Sequence, residues 1–324
     1  MKRFPLTIFF LILCTSTSIV WYIYSHEMAR RHEPEERSGA LGALNYWTAM
    51  RAYPNYDIPS TAYYRAYQLA TAKRKEYEKT ISSTNIWEPI GPTNLHGRCI
   101  SVAINPQNPN TIYLGTASGG LWRSYTGGLG GDWLQVPLGY PALGISSIII
   151  DPIDTNIVYI GTGEVYRYQG AYGGLVVRTT RGSYGIGILK STNAGATWSK
   201  SLDWSYNQER GIEKIEMNPL NHNTLYAATT EGIYKTVNSG GVWTNIYNAS
   251  MGEDIVINSS DTNNILASLG NFALNPHIMK STDAGTDWTP TPAPSFSGKA
   301  LMCAYRTNPN IVYASIADST TGVG

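Results

Sequence analysis

The sequence predicts an all-β fold, a multi-bladed β-propeller of four-stranded blades preceded by a short helical prefix. Three observations lead there. A strand-turn-strand unit recurs five times, a Gly-rich turn closed by Trp recurs three times at an interval of 45 residues, and the composition favours short strands joined by tight turns. Charged residues make up only 15% of the chain, against 32 Gly, 17 Pro, 23 Tyr and 9 Trp, a balance that suits sheets and turns rather than a helical bundle. At 324 residues and 42% hydrophobic content, one large all-β domain can bury its own core.

In chain order, Met1, Lys2 and Arg3 precede an uncharged stretch over 4–24, with an apolar region at 4–13 and small polar residues at 14–18. This reads as a cleaved export signal. The second apolar run, 19–24, brings the stretch to 21 residues, so an uncleaved membrane anchor is the alternative. Leu13 before Cys14 fits lipoprotein processing poorly. Residues 25–37 carry seven charges and read as a spacer. A helical prefix is expected over 38–80, in two segments separated by Pro54 and Pro59. Ser60 suits an N-cap, and Leu41, Leu44, Trp47, Tyr63, Tyr64 and Tyr67 supply apolar stripes for docking on the main domain.

From Trp87 onward the texture is β. VAINPQNPNTIYLGT at 102–116 sets a pattern of strand, Asn-Pro turn and second strand. It recurs at 148–162 and 215–229, and in weaker form at 255–269 and 302–316. A third strand then runs into the turn, as Ser191-Thr192-Asn193-Ala194-Gly195-Ala196-Thr197-Trp198, with counterparts at 236–243 (Asn238, Gly240, Trp243) and 281–288 (Ser281, Asp283, Gly285, Trp288). A degenerate copy spans 124–133. A period in the forties with four strands per unit is a propeller blade, too small to bury its faces alone. The propeller is expected over 87–324, with about five blades, the last incomplete. Gly324 precedes any turn of the fifth repeat, so further sequence is expected to close the ring, with the Trp87 segment as a closing strand.

Each part of the repeated turn has a structural use. Ser and Asn or Asp bond the turn backbone, Gly supplies a positive φ, and Trp packs between blades. The turns resemble the Asp box of sialidases, sortilin-like receptors, xyloglucanase-like glycoside hydrolases and photosystem assembly factors. The wider chain resembles secreted bacterial sortilin-like or BNR-repeat propellers, through Trp87-Glu88-Pro89-Ile90-Gly91-Pro92 and through Gly161-Thr162-Gly163-Glu164 followed by residues 184–190. The resemblance covers 87–324 and implies ligand binding on the face opposite the boxes.

Strand alternation puts the boxes and the Asn-Pro turns on one face, and the connections from second to third strand on the other. The longest such connection is 163–187, carrying Glu164, Tyr166, Arg167, Tyr168 and Tyr172. With Arg98 these are the ligand-binding candidates, since tyrosines beside Arg and Glu offer stacking faces and directional hydrogen bonds to a sugar or peptide. His96, Glu209, Arg210, Glu231, Glu253, Asp254 and His277 map to the same face. Glu164 and Glu231 begin equivalent connections in neighbouring blades and are the catalytic candidates, as glycoside hydrolysis uses carboxylates ~5–10 Å apart. Against catalysis, the Thr-Asp-x-Gly-Gly stretch of the resembling xyloglucanases is Thr116-Ala117-Ser118-Gly119-Gly120 here, with no carboxylate. No Phe/Tyr-Arg-Ile-Pro element of the sialidase kind is present.

The expected function is an exported propeller, secreted or held at the cell envelope, that binds glycans or extracellular or envelope proteins. The alternative is a glycoside hydrolase of the sialidase or xyloglucanase-like kind. A net charge of +1 without clustered Lys and Arg argues against nucleic acid as a partner. No metal-ligand spacing, nucleophile elbow or phosphate loop occurs, and no cofactor is implied. Cys99 and Cys303 fall at non-equivalent places in distant repeats and are expected as buried free thiols.

Overall fold

The computed structural model describes residues 60–80, 97–170, 176–180, 185–207, 209–271 and 275–317, together with Tyr46, Met50 and Tyr53. The export-signal stretch, the spacer, His96 and residues 87–92 lie outside the described residues. Two compact units divide the chain, 1–58 and 59–324, and the second holds one helix and twenty described strands.

Helix α1 (Ser60–Thr80) precedes the strands. Blade 1 is β1 (Cys99–Ile104), β2 (Ile112–Thr116), β3 (Leu121–Ser124) and β4 (Leu134–Val136), paired in sequence order. Blade 2 begins with β5 (Ile145–Ile150) and β6 (Val158–Thr162). A separate hairpin of β7 (Val165–Gly170) and β8 (Val176–Thr180) follows, before β9 (Gly187–Ser191) and β10 (Ser199–Asp203) complete the blade. Blade 3 is β11 (Ile212–Met217), β12 (Leu225–Thr229), β13 (Gly232–Thr236) and β14 (Thr244–Asn248). Blade 4 is β15 (Gly252–Ile257), β16 (Ile265–Leu269), β17 (His277–Ser281) and β18 (Thr289–Pro290). Strands β19 (Ala300–Ala304) and β20 (Val312–Ile316) pair as the start of blade 5.

First strands pack on first strands in succession, β1 on β5, β5 on β11, β11 on β15 and β15 on β19, so they line the inside of an arc. Neighbouring blades share their cores. Tyr113 and Leu121 of blade 1 pack with Ile148, Ile160 and Trp198 of blade 2. Tyr159 and Ile188 pack with Ile215 and Leu225, and Tyr226 and Ile233 with Ile255 and Ile265. Strands covered on both faces are apolar throughout, as in β6, β12 and β15, which are buried along their whole length.

The Asn-Pro turns hold themselves. Asn105 Oδ1 accepts from the N–H of Gln107 (2.9 Å) and Asn108 (3.0 Å), and Asn218 Oδ1 from Leu220 (2.9 Å) and Asn221 (3.0 Å). The turns after the third strands are built as their sequences imply. Ser191 Oγ accepts from Gly195 N–H at 2.8 Å, and Asn193 Oδ1 from Thr197 N–H at 2.8 Å. Thr236 with Asn238 and Ser281 with Asp283 repeat both bonds at 2.8–3.1 Å. Two consecutive residues are left-handed in each turn, Ala194 and Gly195, Ser239 and Gly240, Ala284 and Gly285, with φ between 51 and 89°. The Trp indoles reach into the interblade cores, Trp198 most deeply.

These turns also fasten each blade to the one before it. The carbonyl of Ala194 accepts from Tyr113 Oη (2.8 Å) and from the Arg123 guanidinium (2.6 Å). Ser239 takes Tyr159 Oη and Lys190 Nζ, each at 2.8 Å, and Ala284 takes Tyr226 Oη (3.0 Å) and Lys235 Nζ (2.8 Å). Each cation lies 5.2–5.7 Å from the centre of its tyrosine ring. Burial pushes the Tyr159 and Tyr226 hydroxyls up to about 12, so they stay protonated donors.

Helix α1 packs on the outside of blade 2. The buried Tyr64 ring meets Tyr206 edge-on at 5.3 Å with Lys200 Nζ 4.5 Å above it, and Tyr206 Oη donates to Gln68 at 3.3 Å. The two ends of the arc are open among the described residues. Val102 and Ile104 of β1 are 64% and 57% exposed, whereas their counterparts Ile148 and Ile150 are buried. Here the structure corrects the sequence reading of the cysteines. Cys99 and Cys303 are free but exposed, because β1 and β19 are the terminal first strands and no described blade covers their outward side chains.

Tyr159→Phe removes one of the two donors to Ser239 and is expected to lower the unfolding free energy by about 1 kcal/mol. Gly240→Val asks a β-branched residue to take φ +80°, with its Cβ 2.3 Å from Ser201 Oγ, and is expected to cost at least ~2 kcal/mol. Urea unfolding of the two variants checks both. A Tyr159→Phe protein as stable as wild type would remove the interblade bond from the stabilising interactions.

Candidate ligand face and axial cluster

The first strands of four blades share one irregularity. The pairing register with the second strand slips between Cys99 and Ser101, Ile145 and Ser147, Ile212 and Lys214, and Gly252 and Asp254. The extra residues are Ile100, Ser146, Glu213 and Glu253. A bulge re-aims the side chain it inserts, and here it puts two carboxylates against the neighbouring inner strands. The fifth pair, β19 with β20, runs without a slip.

Lys299, just before β19, closes the set. Its ammonium lies 2.6 Å from Glu253 and 3.3 Å from Glu213, so one cation ties the inner strands of blades 3, 4 and 5. Asn271 Nδ2 donates to Glu253 at 2.5 Å. One residue further along, Lys214 pairs with Asp254 at 2.7 Å and lies 3.8 Å from Glu216. Asp254 also accepts from Met302 N–H, reaching across to blade 5. These groups border a cavity of about 330 Å³ between the inner strands. Burial pushes the Glu253 carboxyl up to about 8 and raises Glu213 as well. Burial alone would lower Lys299, but the two carboxylates outweigh it and raise it.

At the end of the arc where first strands begin, two arginine–carboxylate pairs stand on the connections. Both oxygens of Glu164, just past β6, are held by the two terminal nitrogens of Arg98, just before β1, with Nη2 to Oε2 at 2.6 Å. This two-point fork crosses from blade 1 to blade 2 and raises Arg98 further above its already high range. Arg210, just before β11, lies 3.7 Å from Glu231, just past β12. The electrostatic influence of Glu164 reaches Glu213, placing the rim fork next to the axial cluster.

The candidates read from sequence therefore fall as follows. Glu164 and Glu231 each hold an arginine. Arg98 is partnered with Glu164, and Glu253 and Asp254 belong to the axial cluster. Tyr166, Arg167 and Tyr168 lie on β7, described in its backbone only, and Tyr172 lies outside the described residues. His277 heads β17, its Nδ1 at 2.7 Å from the Asn275 carbonyl. Ala117 is buried. Sequence reasoning missed Glu213 and Lys299. The available signal was a Glu at the second position of consecutive first strands, Ile212-Glu213-Lys214 and Gly252-Glu253-Asp254, where alternation alone leaves its direction ambiguous.

No family model and no curated protein matches the sequence. Solved structures share the architecture. A GH74 enzyme of Niastella koreensis is 25% identical over 58% of this chain and 28% of its own, with a TM-score of 0.45. An ancestral GH74 enzyme is 21% identical over 65% and 28%, with a TM-score of 0.51. YCF48 from Cyanidioschyzon merolae is 15% identical over 69% and 66%, with a TM-score of 0.44. The chain spans less than a third of the length of those two GH74 structures. What the likeness shows is the fold, a β-propeller.

The axial cluster gives stability a pH signature. A carboxyl raised in the folded state contributes its stability fully below its unfolded value and loses it as pH rises through the folded one. Stability is thus expected to fall between pH 5 and pH 9, with Glu253 ionising at about 8, while Lys299 stays charged throughout. Glu253→Gln keeps a partner for Asn271 and should flatten that fall by roughly 1–3 kcal/mol, leaving the part due to Glu213. Urea midpoints at a series of pH values measure it, and an unchanged slope would detach Glu253 from the effect.

Proposed function

We propose that this chain is an exported propeller that binds a glycan, or a protein of the envelope or exterior, through the face bearing the Arg98–Glu164 fork. The fork carries the reading. A guanidinium locked in plane with a carboxylate presents donors and acceptors at fixed spacing, the complement of a polar, multidentate ligand. The β7–β8 hairpin rises directly from Glu164 and brings Tyr166, Arg167 and Tyr168 to the same connection. The Arg210–Glu231 pair extends the polar rim to blade 3. Export is read from the basic and apolar residues of 1–24, and grouping with the Asp-box, sortilin-like propellers from the repeated turns.

Binding is favoured over hydrolysis because both oxygens of Glu164 are engaged by Arg98, and because Ala117 stands where the resembling hydrolases carry an acid. A glycan array and an envelope-protein overlay with the whole chain, each followed by a turnover assay on any hit, test this. Arg98→Ala is expected to weaken the interaction by about tenfold or more without unfolding the protein. Glycan turnover that Glu164→Gln abolishes while binding persists would replace this reading with glycoside hydrolysis.

A further inference from the structure

In four blades one left-handed residue anchors its turn with both of its main-chain polar groups. Its N–H donates to an Asn carbonyl in the Asn-Pro turn of the same blade. The pairs are Gly127 to Asn110 (2.8 Å), Ala194 to Asn156 (2.9 Å), Ser239 to Asn223 (2.8 Å) and Ala284 to Asn263 (3.0 Å). In blades 2 to 4 its C=O accepts the cation on the third strand of the preceding blade. The carbonyl of one residue and the ammonium of another thus form a matched clasp for a single peptide unit.

The same clasp recurs between blades 4 and 5. Lys280 holds on β17 the place that Arg123, Lys190 and Lys235 hold on β3, β9 and β13, and it is exposed. Asn310 holds the place of Asn110 and Asn263, and its side chain is fixed by Asn258 Nδ2 at 2.9 Å. Both line one groove of about 200 Å³ whose apolar wall includes Val256, Leu266 and Val312. That wall continues the core between blades 4 and 5, as the floors under Trp243 and Trp288 continue theirs.

We propose that this groove is a binding site for a polypeptide turn of the Ser/Thr-x-Asx-x-Gly kind. The left-handed residue of the turn gives its C=O to Lys280 and its N–H to the Asn310 carbonyl, and an aromatic residue closing the turn lies on the apolar wall. A sugar, with hydroxyls in place of a donor and acceptor on one rigid unit, matches the clasp less well. Blade 4 differs from blades 1 to 3 in one respect: Leu266 replaces the tyrosine, so the site has one donor fewer.

A cyclised peptide with the sequence of residues 277–290, titrated into the whole chain and followed by amide chemical shifts, tests this. Saturable binding is expected, with shifts at Lys280 and Asn310. Lys280→Met should weaken it by about tenfold, and Leu266→Tyr, which restores the phenol, should strengthen it by about fivefold. A peptide carrying Asp283→Ala and Gly285→Val should not bind. Unfolding midpoints confirm that both protein variants remain folded. Absence of saturable binding, or affinity indifferent to both substitutions, overturns the proposal. So does self-association that Lys280→Met abolishes, which would give the groove to a second copy.

Discussion

A blade with two apolar faces has no stable existence alone, and burial between blades does not by itself set how they align. The bond that does is to the carbonyl of a left-handed residue. Ala194, Ser239 and Ala284 each turn their C=O toward the preceding blade, where an unpaired carbonyl would cost the desolvation of a buried polar group. Satisfying it takes a tyrosine from the second strand and a cation from the third, and only one register brings both within reach. Holding a non-glycine residue at φ between 51 and 58° costs of order 1 kcal/mol, which these two donors offset. Directional hydrogen bonds thus fix what apolar packing leaves loose.

The inner strands solve the opposite problem. Five of them converge, and a slipped register in four turns one residue of each toward its neighbours. Where that residue is Ile100 or Ser146 the consequence is packing or a hydroxyl bond to the next strand. Where it is Glu213 or Glu253 the consequence is buried charge, and Lys299 compensates both. Such an arrangement contributes little net stability, because desolvation consumes most of the attraction, but removing one member leaves the others uncompensated. Its effect is to tie blades 3, 4 and 5 through a network that fits only when all three are in place.

How much was legible follows from what each feature depends on. The repeats, the turns and the two faces were readable because turn chemistry is local. Ser191, Asn193 and Gly195 form their bonds within eight residues, and a period of 45 residues displays them in register. The axial cluster was not readable, because Glu213 and Lys299 meet across 86 positions and through a bulge that reverses the direction alternation would assign. The same dependence on neighbours defeated the reading of Cys99 and Cys303. Apolar character along a first strand argues for burial only if a blade lies on each side. The Arg98–Glu164 fork lies between these cases: both residues were placed on the right connections, but not with each other.

The two ends of the arc therefore differ in what would be disturbed by a ligand. At the turn end, the cations are committed to main-chain carbonyls, and burial lowers Lys190 and Lys235 toward neutrality without a carboxylate against them. They serve as hydrogen-bond donors more than as charges, and displacing them would expose a carbonyl between blades. At the other end, Arg98 with Glu164 and Arg210 with Glu231 hold side chains to side chains, so a ligand can exchange partners there without opening a sheet or an interblade core. Polar recognition on a propeller costs least where the frame does not depend on the groups that perform it, and the rim meets that condition while the turn face does not.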